Sequence, residues 1–155
     1  MGVIYFLYDL LTNKIFIAPA LAWIIAQLFK VVIDSCKYGF CKERLYGAGG
    51  MPSSHSATVV ALLIITEFWY GAGSFEFAIA FFFAAITLYD ARGVRFETQR
   101  QGKALNNLND EREEEGKQPL DIKRFKEKMG HTMPELLAGA VIGLICALIV
   151  YYLPF

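Results

Sequence analysis

Residues Gly49–Tyr70 read GGMPSSHSATVVALLIITEFWY, a polar knot run directly into an apolar stretch. Proline is tolerated in the first turn of a helix, where its missing N–H has no partner to lose. Serine and threonine favour the same end because their oxygens cap free backbone N–H groups. The knot therefore opens a helix, and from Ala57 to Tyr70 that helix carries one charge, Glu67. His55, a side chain that titrates near neutrality, sits at its mouth.

Outward from this stretch, three further runs are apolar. Ile15–Ile33 is broken only by Gln27 and Lys30, Phe77–Tyr89 is uncharged, and Leu136–Phe155 is wholly uncharged. Crossing a bilayer takes about 20 residues, which the first and last supply and the middle two reach with their flanks. Hydrophobic residues make up 55% of the 155 and mean hydropathy is +0.39, above the soluble range. These features predict an all-α integral membrane protein, one transmembrane domain over residues 1–155 with four transmembrane helices. The leading MGVIYFLYDLLTNK is too short to span and lacks a basic start or a small-residue cleavage site. A short interfacial helix is expected there rather than a cleaved signal peptide. Cys36, Cys41 and Cys146 suggest neither a disulfide framework nor a zinc knuckle, so no metal site is expected.

Charge sorts the loops. Lys37, Lys42 and Arg44 lie between the first two runs, and ten more cations lie between the third and fourth, from Arg92 to Lys128. The GAGS link has none. By the positive-inside rule both basic loops face the cytoplasm, at the plasma (inner) membrane, and both termini lie outside. His55 and His131, the chain's two histidines, then share one membrane face. Within the charged loop of about 91–130, Ile122, Phe125 and Met129 fall on one helical face. An amphipathic helix from Asp121, with Gly130 as its stop, is predicted.

Two helix N-termini, two histidines and several cations at one level suit a phosphate. A nucleophilic histidine needs its ring oriented by a carboxylate, and in HTMPE, Glu135 stands four residues after His131. Thr132 and Glu135 equally satisfy the capping-box pattern, a purely structural role.

The chain resembles the divergent small-membrane-protein branch of the type 2 phosphatidic acid phosphatase and vanadium haloperoxidase superfamily. That superfamily carries K-x6-R-P, P-S-G-H and S-R-x5-H-x3-D. KYGFCKER supplies Lys37 and Arg44, PSSH spans Pro52–His55, and HTMPE supplies His131 and Glu135. The stretches GGMPSSHSA, YDARGVR with Q and LN following, and GHTMPELLAGAVIG match the divergent branch itself. The resemblance implies metal-independent hydrolysis of a lipid phosphate without a cofactor. In it His131 attacks phosphorus, Glu135 orients His131, and His55 protonates the leaving oxygen. Lys37, Arg44 and a later arginine neutralise phosphate oxygens, helped by backbone N–H groups near Ser53 and Ser54.

The departures are specific. Ser54 replaces glycine, Leu45 follows Arg44 where proline is usual, and Glu135 replaces aspartate. Phe125 occupies the motif arginine's place, with Arg124 one residue off; Arg95 or Arg92 is the candidate for that cation, and Lys30 is an alternative to Lys37. Two superfamily helices are absent, which invites a homodimer. The implied partners are the membrane and a phospholipid or polyprenyl phosphate, not nucleic acid. The alternative is a non-catalytic membrane protein that binds lipid phosphate or serves as an assembly partner.

Overall fold

A computed structural model describes residues 2–39, 50–127 and 129–154, without the side chains of Lys37 and Tyr38. Among the described residues six helices follow in order: α1 Val3–Thr12, α2 Lys14–Tyr38, α3 Ser54–Tyr70, α4 Phe75–Arg92, α5 Val94–Glu114 and α6 Met133–Tyr152. The described residues contain no strand.

Helix starts follow local chemistry. Asn13 opens α2 by accepting from the N–H groups of Ile15 and Phe16, at 3.0 and 3.3 Å. Ser53 caps α3, accepting from Ser56 N, and Ser74 caps α4, accepting from Phe77 N. Gly71 ends α3 at φ 78°, a left-handed conformation that favours glycine.

Among the described residues three helical stretches are long and apolar enough to cross a membrane: Lys14–Cys36, Phe75–Glu114 and Met133–Tyr152. The second joins α4 to α5 through Gly93. The 17 residues of α3, about 26 Å of helix, fall just short of that length. Yet α3 is the centre of the fold, packed against α2, α4 and α6, with α2 also touching α6.

Small residues spaced by four make this packing close. Ala18, Ala22 and Ala26 of α2 are fully buried, as are Ala57, Ala61 and Ile65 of α3. On α6 the stripe is Gly139, Gly143 and Ala147. A Cβ at Gly139 or Gly143 would strike the carbonyl oxygen of Ser53 or Ala57, so α6 lies directly on the α3 backbone. Such small-residue seams are how helices approach within a membrane. The α2 stripe continues four residues on to Lys30 and then Asp34, leading from the apolar seam into the polar end of the bundle.

The amphipathic helix predicted from Asp121 does not form: residues 121–127 are irregular. The helix of this loop is α5, and the later segment runs back along it as a strap. Asn106 exchanges two hydrogen bonds with the Phe125 backbone, at 3.0 and 2.9 Å, and Asn109 accepts from Leu120 N at 2.6 Å. Side-chain amides of α5 thus satisfy backbone groups that a helix would have paired internally. Phe125 instead packs over Gly102, where a Cβ would approach it to 3.0 Å.

Candidate functional site

The site forms where α2 ends, α3 and α6 begin, and α4 passes into α5. Ser53 N donates to Glu135 O at 3.0 Å and Ser56 Oγ donates to Leu136 O at 2.7 Å, locking the first turns of α3 and α6 together. His131 N donates to Ala91 O at 3.1 Å, fixing the strap's end to α4.

These ties bring His55 and His131, 76 positions apart in the chain, to a ring-centroid separation of 5.8 Å, with the planes inclined by 61°. His131 is 1% exposed. Neither of its ring nitrogens, nor Nδ1 of His55, has a hydrogen-bond partner among the described residues. Buried polar atoms are nearly always satisfied, so such orphans point to a missing ligand or a chemical role. His131 Nδ1 stands 3.4 Å from Glu135 Oε2, within ion-pair range though not aligned as a hydrogen bond. The same oxygen accepts from Thr132 N at 2.9 Å, so Glu135 caps α6 and faces His131 at once. Nε2 is left as the nitrogen of His131 turned away from the carboxylate. Burial pushes the His131 pKa below its ordinary 6.5; the Glu135 charge opposes this, and Lys30 and His55 reinforce it.

The expected cations divide. Lys30 is 3% exposed and acts electrostatically on both histidines, which places it at the site. The Lys37 side chain and Arg44 lie outside the described residues. Arg95 and Asp90 are among the charges His55 feels most, and Arg95 Nε donates to Asp90 Oδ2. Arg92 turns elsewhere: its guanidinium lies 5.3 Å from the Phe96 ring and borders an apolar groove beside Leu88, Met133 and Leu137. Ser53 and Ser54 are buried at the mouth of α3. The Ser53 N–H, expected to meet phosphate, is instead committed to the Glu135 carbonyl. Ser54 and His55, the first residues of the helix, retain N–H groups without an intrahelical acceptor.

A cleft of 310 Å³ is lined by Gly130 and Thr132, the neighbours of His131 in sequence, and by Glu135, Asp34, Gln99 and Glu127 among others. Asp34 and Gln99 were not singled out from sequence. Asp34 had one signal, its place four residues beyond Lys30; Gln99 had none beyond the matched stretch it follows. Among the described residues no group of three or more His, Cys, Asp or Glu side chains is disposed to hold a metal ion.

The model of the divergent PAP2 family matches residues 11–146, a span that contains both histidines, Glu135 and every helix contact just described. This chain belongs to the divergent PAP2 family. It is 34% identical over 160 residues to the uncharacterized membrane protein YuiD of Bacillus subtilis (strain 168), covering 93% of this chain and 98% of that protein. No solved structure matches it. Family membership and the apolar helices make the chain a PAP2-related membrane protein, helical throughout its described regular structure. Within this divergent member, Lys30 and Arg95 are the described cations beside the histidine pair.

Proposed function

We propose that this divergent PAP2 member is an integral membrane phosphatase that hydrolyses a lipid phosphomonoester or diphosphate through a phosphohistidine, without a metal or other cofactor. The observation that carries the reading is the meeting of His55 and His131 at 5.8 Å with unpartnered ring nitrogens. Neutral His131 Nε2 attacks phosphorus, and the bond from phosphorus to the ester oxygen breaks. Protonated His55 gives that oxygen its proton. Water then attacks the phosphohistidine while His55, now neutral, takes the proton of the water. Inorganic phosphate leaves and both histidines return to their starting states. Glu135 supports the positive charge on His131 through Nδ1. Lys30 and Arg95, with Lys37 at the end of α2 and Arg44 beyond it in sequence, neutralise phosphate oxygens, and the N–H groups of Ser54 and His55 add the helix-terminus contribution. Arg92 stands apart from this set.

In this reading α3 is the fourth transmembrane helix. Lys14, at the start of α2, reaches the Trp69 ring near the end of α3 at 5.7 Å. At the other end Gly50, just before α3, lies against the Lys30 and Asp34 side chains. The shorter helix therefore runs beside α2 for the same depth. α1 lies in the outer interface, both basic loops are cytoplasmic at the plasma membrane, and a homodimer supplies the bulk of the absent helices. The substrate is a phospholipid or polyprenyl phosphate such as phosphatidate, phosphatidylglycerophosphate or a polyprenyl diphosphate.

The test is phosphate release by purified protein from a panel of these lipids in EDTA. Wild-type release is expected to persist, His131→Ala to abolish it, and His55→Ala to slow it about 10²–10⁴-fold. The His55→Ala loss should be smaller for a substrate with a good leaving group. Saturable lipid-phosphate binding with no release from any lipid would instead establish the non-catalytic alternative.

A further inference from the structure

The strap that delivers His131 has no helix or strand of its own, so its backbone N–H groups must find partners elsewhere. Just before the histidine they converge on one side chain. Gln99 Oε1 accepts from Met129 N and from Gly130 N, both at 3.1 Å. His131 N follows, donating to Ala91 O. Three successive N–H groups are thus held by the α4–α5 pair and none by α6. Gly130 lies so close to the Phe96 backbone that no Cβ fits, which leaves the strap no slack. Two donors facing Oε1 also fix which way the Gln99 amide points. Its NH2 end is turned from the strap, and Gln99 borders the 310 Å³ cleft together with Thr132 and Glu135.

We infer that Gln99 is a positioning residue for His131, its amide oxygen setting where the nucleophile's backbone sits relative to His55. The inference rests on the phosphatase reading for its catalytic meaning. Asn106 and Asn109 hold the strap farther back, at Phe125 and Leu120. Gln99 differs because only one peptide separates its contact from the reacting residue. A nucleophile displaced by about 1 Å can lose about 10²-fold in rate while the substrate still binds.

The experiment compares full-length wild type, Gln99→Met and Gln99→Glu. Methionine keeps the side chain's length and removes the acceptor, whereas glutamate keeps an acceptor and loses the NH2 end. Hydrogen exchange of the peptide covering 127–132 is read beside kcat and KM for phosphate release. In Gln99→Met, exchange should accelerate and kcat fall by about 10–10²-fold with KM nearly unchanged. Gln99→Glu should restore both protection and most of kcat. Unchanged exchange in Gln99→Met overturns the inference, as does lost protection with full kcat. Equal loss of kcat in both variants with exchange unchanged would place Gln99 on the substrate instead. A wild-type protein that releases no phosphate from any lipid removes the phosphatase reading before any substitution is made. The exchange comparison would then still decide whether Gln99 holds the strap.

Discussion

One oxygen of Glu135 serves two neighbours, Thr132 N at 2.9 Å and His131 Nδ1 at 3.4 Å. Glu135→Gln keeps an amide oxygen for the cap and removes the charge from the histidine. Burial already lowers the His131 pKa and the Glu135 charge opposes that, so the substitution lets it fall further. Two consequences have definite signs. The nucleophile must be neutral, so the acid limb of the pH–rate profile should move to lower pH while maximal turnover drops. In the folded state His131 binds its proton less tightly than in the unfolded chain. Stability is therefore full above the ordinary histidine range near 6.5 and declines as pH falls below it, more steeply in the variant. Melting curves across this range, read beside turnover, check both. A melting loss at every pH with normal turnover would reduce Glu135 to a cap. The histidine–glutamate spacing and the flanking motif made this part of the site legible in sequence. Asp34 and Gln99 were not, because they line one cleft from segments far apart in the chain.

At the scale of elements, the seam between α3 and α6 carries both fold and site. Gly139 lies over Ser53 O, beside the Ser53 N–Glu135 O bond, whereas Gly143 lies over Ala57 O one turn deeper. Adding a methyl group at either position forces the helices apart, and such overpacking costs about 1–3 kcal/mol. Gly143→Ala should lower the melting temperature in detergent with a modest effect on turnover. Gly139→Ala should lower both, because it separates the turn holding Ser54 and His55 from the turn holding Glu135. Wild-type melting for Gly139→Ala would sink this account of the seam. The period-four spacing of Gly139 and Gly143 is visible in the sequence itself, and it is a spacing that permits close helix packing. The same kind of periodicity misled at Ile122, Phe125 and Met129. There the spacing fits a helical face, but Asn106, Asn109 and Gln99 offer the backbone better partners than a helix would. Periodicity reports which side chains could share a face; it carries no information about side chains elsewhere that compete for the N–H groups.

For the whole molecule, the decisive question is whether the chain crosses the bilayer between the GAGS turn and the charged loop. Lys14 joins three helix ends at one pole: its ammonium donates to Tyr151 O and Leu153 O, at 3.1 and 2.6 Å, and approaches the Trp69 ring. That contact answers the unsatisfied carbonyls at the end of α6 and explains a cation at the pole opposite the histidines. The other pole holds Lys30 and both histidines, and 13 of the 15 lysines and arginines fall between the first and second or the third and fourth apolar runs of the sequence. A fourfold crossing puts the two poles on opposite sides of the membrane, with the basic one cytoplasmic. Cysteines introduced singly at Ser74 and Lys117, in a protein whose Cys36, Cys41 and Cys146 have been replaced, separate the possibilities. Ser74→Cys should react with an impermeant thiol reagent in intact cells, and Lys117→Cys only after the membrane is opened. Labelling of both from outside would mean that α4 does not carry the chain across the bilayer as drawn. The phosphate chemistry would then lose its cytoplasmic setting, because the strap bearing His131 would share a compartment with the GAGS turn.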